Sequence, residues 1–269
     1  MLAFLLRPWR LMLANRGLVS ASVSHTIVSR YRGSWIGLLW PFLMPLLMIG
    51  VFSLVFIFVM PLKWISTANS EISFPLFLFS GMIVFTLFAE VINQSPQLVM
   101  MNTNLVKKVV FPLEMLSVSN TVTALVFFLA NLLVLMVFVW FQTGSVSIRV
   151  VFYLPFVIPF ALFLIGASWF LSSLSVYIRD LVHVVGVVVS ALMFLSPVFY
   201  PLDSAAEIVR SIQFLNPIAI LIESLRAFLF DTSYNLLKAF VLMNVYGLLA
   251  FYLGFYWFQR LKGGFSDVL

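Results

Sequence analysis

The sequence predicts an all-α, polytopic membrane protein, and three observations support this prediction. Hydrophobic residues make up 63% of the 269 residues and charged residues 9%, with a mean hydropathy of +1.14. A soluble domain carries about 25% charged residues, so this chain cannot cover itself with a polar surface. Its apolar residues also fall into segments long enough to cross a hydrocarbon core of about 30 Å. The chain has no cysteine, which excludes disulfides and thiolate metal sites.

Six segments are long enough to span the membrane as helices, which need about 20 residues at about 1.5 Å of rise each. We expect a single transmembrane domain over residues 1–269. It comprises a cytoplasmic interfacial segment at 1–37, six spans within 38–258 and a cytoplasmic tail at 259–269. The spans are predicted at residues 38–60, 74–92, 115–141, 150–176, 181–200 and 236–258.

The distribution of basic residues predicts the orientation. Ten of the 15 Lys and Arg residues fall on the side of the two termini, and five fall on the opposite side. The positive-inside rule therefore places both termini in the cytoplasm. The same rule accounts for the net charge of +6 without a nucleic-acid partner. The ten are Arg7, Arg10, Arg16, Arg30, Arg32, Lys107, Lys108, Arg179, Arg260 and Lys262.

The segment before the first span has helical periodicity. Its apolar residues lie on one face, away from Arg7 and Arg10, which predicts an amphipathic helix in the cytoplasmic interface with Trp9 at the level of the headgroups. A plain topology anchor is the alternative. We expect this segment to be retained, because an early arginine and the lack of a cleavage site do not fit a signal peptide. The apolar face comprises Leu2, Leu5, Leu6, Trp9, Met12 and Leu13.

The connection between spans five and six, residues 201–231, is unusually apolar for a loop. Ile218, Ile222 and Leu225 continue a helical repeat, which Asn216 and Pro217 interrupt. Apolar helices too short to span the membrane predict re-entrant helices that dip into the outer leaflet and are shielded by protein. A loose extracytoplasmic cap is the alternative.

The sequence has no motif for catalysis or nucleotide binding. The glycine pair Gly263–Gly264 is followed by Phe265 and forms no phosphate-binding loop. His25 and His183 have no acidic neighbourhood, so no metal site is expected. Ionisable residues are nearly missing from the span centres, which argues against ion-coupled transport. We expect a transport subunit, not an enzyme, whose energy comes from another chain.

One stretch between spans two and three has the pattern of a docking element for such a chain. Apolar Leu98, Met101 and Leu105 alternate with polar residues, and Pro112 ends the pattern before span three. This spacing predicts a short amphipathic helix parallel to the membrane, a coupling helix. Lysines placed only by the positive-inside rule are the alternative.

Five blocks of the chain carry a family resemblance. They are RYRGSWIGLLWPFLMPLL (30–47), NTNLVKKVVFPLE (102–114), LSVYIRDL (174–181), the pair FLSPVFYPL (194–202) and LNPIAILIESLRAFLF (215–230), and FQRLKGGFSDVL (258–269). In this order they resemble the transmembrane (permease) subunit of ABC-2-type exporters. The resemblance is to the branch that exports polysaccharides such as O-antigen, capsule and teichoic acid.

The resemblance implies a set of partners. The family forms a homodimer of this subunit in the bacterial inner membrane, with two copies of a separate cytoplasmic ABC ATPase that binds ATP and Mg²⁺. A lipid-linked polysaccharide passes between the two protomers, in contact with membrane lipids. No cofactor is implied for this chain itself.

The resemblance also implies functional residues. The ATPase-coupling block comprises Asn102, Asn104, Leu105, Lys107, Lys108, Phe111 and Pro112. The cytoplasmic entrance comprises Arg30, Tyr31, Arg32, Ser34, Gly37 and Trp40. The outer re-entrant region comprises Pro197, Tyr200, Pro201, Asn216 and Pro217.

Two further expectations come from residue chemistry. Pro45 lies one turn after Pro41 and leaves a backbone carbonyl without its helical donor, so we expect a bend that shapes the entrance. Aromatic rings can also stack on sugar rings, although lipid-facing or packing roles are the common alternative. The candidate channel aromatics are Trp40, Phe52, Phe56, Phe194, Phe199 and Tyr200.

Two other functions remain open from the sequence. An ABC-2 exporter of small drugs or lipids would share the fold and the coupling. A membrane-embedded glycosyl- or acyltransferase needs clustered acidic, His or Arg residues at a membrane face, and the chain shows only isolated charges.

Overall fold

The computed structural model describes residues 2–55, 66–67, 70–71, 73–107, 111–145, 147–202, 205, 207, 210 and 213–269. Within this part of the chain, four helices are long and apolar enough to cross a membrane, and two apolar helices are shorter. The predicted polytopic helical protein is therefore confirmed. The four are Phe74–Gln97, Glu114–Thr143, Ile148–Ser175 and Leu236–Val268, and the two are Trp40–Leu54 and Leu181–Leu195.

The N-terminal segment forms two helices, α1 (Leu2–Ala14) and α2 (Arg16–Tyr31). One face of α1 packs on protein, because the Trp9 indole donates a hydrogen bond of 3.0 Å to the hydroxyl of Tyr252. Leu13 is exposed on α1. This hydrogen bond joins α1 to the helix that contains Tyr252, near the C-terminus.

The first apolar helix, α3 (Trp40–Leu54), follows a 3-10 turn at Gly37–Leu39. Pro41 lies in its first turn, where no helical N–H is needed, and Pro45 lies inside it. The predicted span at 38–60 contains this helix, but its residues 56–60 lie outside the described residues. A two-residue ladder pairs β1 (Ser66–Thr67) with β2 (Ser70–Glu71) in antiparallel register.

The segments predicted as spans two and three form α4 (Phe74–Gln94) and α6 (Glu114–Thr143). Helix α6 ends at Gly144, whose positive φ of 72° provides a left-handed cap. Residues 95–113, called the connecting segment below, join the two spans. The segment contains 3-10 turns at Ser95–Gln97 and Met100–Asn102 and the short helix α5 (Thr103–Lys107).

The segments predicted as spans four and five contain α7 (Leu154–Ser175), which follows a 3-10 turn at Ile148–Tyr153, and the shorter α8 (Leu181–Leu195). The predicted span at 181–200 is too long, because Ser196 is extended and the next residue is proline. At about 1.5 Å per residue, the 15 residues of α8 reach about 22 Å. This is less than a hydrocarbon core.

After α8, a 3-10 turn at Gln213–Leu215 leads into α9 (Pro217–Phe230). All residues of α9 except Pro217 and Leu229 are buried, so α9 lies inside the protein. The last span is α10 (Leu236–Leu261), followed by a 3-10 turn at Lys262–Gly264 and the short α11 (Phe265–Val268).

Helices α7 and α10 pack with their backbones in contact. A Cβ atom on Gly166 would overlap the carbonyl oxygen of Ala250, and one on Gly254 would overlap that of Gly166. Gly247 meets the carbonyl of Pro159 in the same way. Small residues allow this approach, which is the common way for helices to associate in a bilayer.

Candidate functional site

A cavity of about 250 Å³ lies between α2, α3, α4 and α6 and is called the α3 cavity here. It gathers residues that are far apart in the sequence, including five of the predicted entrance and channel residues. These five are Arg30, Tyr31, Trp40, Pro45 and Phe52.

An ion pair closes one side of the α3 cavity. The guanidinium of Arg30 lies 2.6 Å from a carboxylate oxygen of Glu90 and 4.7 Å from the ring centroid of Phe127. The Tyr31 ring meets the same Phe127 ring edge-on. The end of α2 is therefore tied to both α4 and α6. Glu90 is only 16% exposed, which shields the pair from water more than a surface pair.

The turn between α2 and α3 explains two other predicted entrance residues, Ser34 and Gly37. Gly37 has a φ of 56°, a left-handed conformation that favours glycine. The Trp40 indole donates a hydrogen bond of 2.6 Å to the hydroxyl of Ser34. Ser34 and Gly37 thus shape the turn that places Trp40 on the cavity. Arg32 is exposed and is not among the cavity residues.

The α3 cavity combines aromatic, aliphatic and polar side chains. Pro45 is buried in its wall, and Thr86, Glu90 and Asn131 supply polar groups. Hydroxyl, carboxylate and amide groups can hydrogen-bond to a polar ligand, and Trp40 offers a flat apolar face beside them. Such a lining suits a ligand with both hydroxyl groups and apolar ring faces.

A second cavity, of about 450 Å³, lies between α8 and α9 and is called the α9 cavity here. Most of its lining is apolar and comes from α4, α7, α8, the turn after α8, and the turn before and first residues of α9. It brings together Phe194, Pro197, Tyr200, Asn216 and Pro217, five of the residues predicted for the outer region and the channel. Phe199 and Pro201 do not line it, although the Phe199 ring lies 5.8 Å from that of Phe194.

Asn216 is the structural centre of the turn into α9. Its side-chain oxygen accepts a hydrogen bond from the backbone N–H of Ile218, which caps the helix. Its amide nitrogen donates to the hydroxyl of Ser196 at the end of α8. Pro217 then occupies the first helical position, where proline is favoured. This Asn–Pro pair therefore starts a helix, in addition to interrupting the apolar pattern before it.

The connecting segment carries the predicted coupling residues. Met101 is 76% exposed and Asn104 is also exposed, whereas Leu105 is partly buried against a core cluster formed by the ends of α6, α7 and α10. The expected single face of Leu98, Met101 and Leu105 is therefore not what the structure shows. The Asn102 amide donates to the carbonyl of Leu98 and stabilises the turn.

The remaining predicted residues can be placed only in part. Phe111 and Pro112 are half-buried directly before α6. Lys107 ends α5. Lys108 and Phe56 lie outside the described residues.

Comparison with known proteins identifies the family. The model of the family described as ABC-2 type transporter matches residues 18–230. The O-antigen export system permease protein RfbA of Myxococcus xanthus is 30% identical over 218 residues, which are 80% of this chain and 81% of the relative. A protein of the same name from Klebsiella pneumoniae is 26% identical over 241 residues, which are 89% of this chain and 90% of the relative. The chain belongs to the ABC-2 type transporter family.

The family match contains most of the candidate site of this ABC-2 protein. Residues 18–230 include all residues of the α3 cavity, the connecting segment and the α9 cavity. Helix α10 and the residues after it lie beyond the match. They nevertheless pack on the end of the connecting segment through Phe258 and Phe265.

Arg226 makes many contacts that the sequence did not assign to the ABC-2 site. It is 1% exposed and donates to the carbonyls of Pro197 and Val198 at 2.6 and 3.1 Å. It also pairs with Glu223 at 2.8 Å and lies 3.6 Å from the centroid of the Phe77 ring. Arg226 thereby fixes the turn after α8 onto α9 and α4. From the sequence, Arg226 counted only as one of the basic residues opposite the termini, and its pattern did not indicate this role.

Proposed function

We propose that this ABC-2 protein is the permease subunit of an ATP-driven exporter of lipid-linked, O-antigen-like polysaccharide across the bacterial inner membrane. The observation that carries the proposal is its 30% identity, over 80% of the chain, to a protein named as an O-antigen export permease. The two proteins are of similar length, because the same 218 residues make up 80% of this chain and 81% of that relative.

The α3 cavity fits the cytoplasmic entrance of such a route. A lipid-linked sugar polymer needs aromatic faces for its rings and hydrogen-bonding groups for its hydroxyls. Trp40 and Tyr31 supply the first, and Glu90, Thr86 and Asn131 supply the second. Helix α3 also exposes a long apolar face, including Met44, Leu47, Met48, Val51 and Leu54. A second copy of the chain or lipid acyl chains would cover that face, with the polymer passing between two protomers.

The energy would come from two copies of a cytoplasmic ABC ATPase that hold the ATP and Mg²⁺. The connecting segment is the surface that would meet them, because it presents Met101 and Asn104 outward. The basic residues near the termini favour a cytoplasmic position for this segment and for both ends of the chain.

We propose six crossings, of which α3 and α8 form the first and the fifth. Helix α8 is short, and the buried helix α9 that follows it in the chain packs on α4, α7 and α10. Backbone at membrane depth is tolerated where protein shields it, as for the backbone of α9. This packing supports a re-entrant α9 in the outer leaflet over a loose cap.

Deletion of the gene in its own bacterium tests the function. We expect loss of polymer from the cell surface and accumulation of lipid-linked polymer inside, with both effects reversed by the wild-type gene. Normal surface polymer in the deletion strain, together with a defect in the efflux of small drugs or lipids, would contradict the proposal.

A further inference from the structure

The end of the chain is packed into the protein in a way that its sequence did not indicate. Phe265, in α11, is 1% exposed, and its ring meets those of Phe258 and Tyr177 at 5.6 and 6.2 Å. The hydroxyl of Tyr177 donates to the carbonyl of Leu261 at 2.9 Å. Residues 259–269, expected as a tail, therefore form part of the same core as the end of the connecting segment.

Glu114 joins this packed end to the connecting segment. It is the first residue of α6 and is 3% exposed. Its carboxylate accepts hydrogen bonds from Lys262 at 2.9 and 3.1 Å and from Gln259 at 2.5 Å. Its backbone carbonyl accepts a hydrogen bond of 2.8 Å from the indole of the buried Trp169. One residue thus contacts α7, α10 and the turn after α10.

The chemistry of Glu114 makes this junction hard to open. A buried carboxylate is strongly disfavoured unless it is paired and hydrogen-bonded, and removal of one partner leaves an uncompensated charge. The start of a helix also favours a negative charge. Separation of the connecting segment from α10 would expose or strand this charge, so the two are expected to move together.

The other end of the connecting segment is attached to the same pair of spans. The hydroxyl of Ser95 donates to that of Ser168 at 2.8 Å, and Ser175 donates to the carbonyl of Pro96. Ser168 and Ser175 lie on α7, and Gly166 of this helix packs directly against the backbone of α10. The connecting segment is thus fixed at both ends to one unit formed by α7 and α10.

We propose that Glu114 is a positioning residue for energy coupling, acting through Lys262 and Gln259. It transmits movement of the connecting segment to the α7–α10 pair. This inference rests on the proposed function, in which an ATPase acts on the connecting segment. Gln259 and Lys262, which lie beyond the family match, would thus take part in coupling.

The test uses the complete complex of this chain with its ATPase, reconstituted in vesicles that contain lipid-linked polymer. The readout is polymer translocated per ATP hydrolysed, normalised to assembled complex. We expect Lys262→Met and Glu114→Gln each to lower this ratio about five-fold, a typical size for a coupling change. Lys262→Arg should retain the wild-type ratio because it keeps the ion pair. Asp267→Asn, an exposed acidic residue of the same segment, is the matched control.

The outcomes separate coupling from folding and from the proposed function. A purely structural role would lower the amount of assembled complex and leave polymer per ATP unchanged, which would overturn the inference. Glu114→Gln keeps the size of the side chain and one acceptor oxygen while removing the charge, so it serves if Lys262→Met does not assemble. Failure of the wild-type complex to translocate polymer would count against the proposed function instead.

Discussion

Arg226 shows how one buried residue can organise a region of this protein. Its guanidinium has five donors, and buried charges are stable only when they are paired and hydrogen-bonded. Here Glu223 supplies the pairing, and the carbonyls of Pro197 and Val198 accept further hydrogen bonds. The wall of the α9 cavity therefore depends on this residue.

Replacement of Arg226 is expected to destabilise the fold. Arg226→Met leaves Glu223 and three backbone carbonyls buried without this donor, and breaking a buried ion pair costs about 3–5 kcal/mol. We expect a clear drop in thermal stability, measured by size-exclusion chromatography of heated, detergent-solubilised protein. Arg149→Met is the control, because Arg149 and Asp231 form a pair that is about two-thirds exposed. Equal stability of both variants would contradict the assignment.

The Arg30–Glu90 ion pair is expected to affect the proposed entrance. Glu90→Gln and Arg30→Gln remove the link between α2 and α4, so we expect export to fall several-fold while assembly with the ATPase is retained. Arg32→Gln provides the control, since Arg32 is exposed and does not line the α3 cavity. Surface polymer per assembled complex is the measurement. A loss in Arg32→Gln as large as in Arg30→Gln would show that only the charge of the segment matters.

At the scale of elements, the α7–α10 contact depends on glycine. Gly166→Ala or Gly254→Ala places a methyl group against a backbone carbonyl, and overpacking of this kind costs about 1–3 kcal/mol. We expect less folded protein after detergent extraction. At Gly186, in α8, an added Cβ meets nothing within 4 Å, so Gly186→Ala should be neutral or slightly stabilising. The same yield for all three variants would contradict close backbone packing.

Crosslinking can test which face of the connecting segment meets the ATPase. Because the chain has no native cysteine, an introduced cysteine is the single thiol of this subunit. We expect Met101→Cys to crosslink to a cysteine on the ATPase, because Met101 is exposed, whereas Leu105→Cys should crosslink poorly because Leu105 packs inward. The measurement is a shifted band in a complex that retains ATPase activity. A stronger crosslink from Leu105→Cys would show that the segment docks through its opposite face.

At the scale of the whole molecule, composition and periodicity predicted the helical membrane fold, because apolar segments of this length have few other stable forms. The structure brings five of the predicted site residues together on each cavity, and their roles in the entrance, the channel and the outer region stay predictions. The sequence did not predict the end of α8 at Leu195, since the apolar run continues past the proline that breaks the helix. Nor did it predict the roles of Arg226 and Glu114, because their partners, apart from Glu223 beside Arg226, are far away in the sequence.

Local motifs could be predicted from the sequence and long-range contacts could not, for a physical reason. Local patterns such as Asn216–Pro217 or Ser34 with Trp40 depend on neighbours along the chain, and their roles follow from capping and turn chemistry. Long-range ion pairs depend on which helices pack together. The pairing of α7 with α10 rests on single glycines, which carry no side-chain pattern to read.

The proposed activity of this chain is to move a lipid-linked polysaccharide across the membrane with energy from a separate ATPase. The most direct test is transfer of lipid-linked polymer into sealed vesicles that contain the purified complex. We expect protected polymer only when both subunits, ATP and Mg²⁺ are present, and reduced transfer for Arg30→Gln. Protected polymer without the ATPase, or ATP-dependent movement of small lipids but not of polymer, would contradict it.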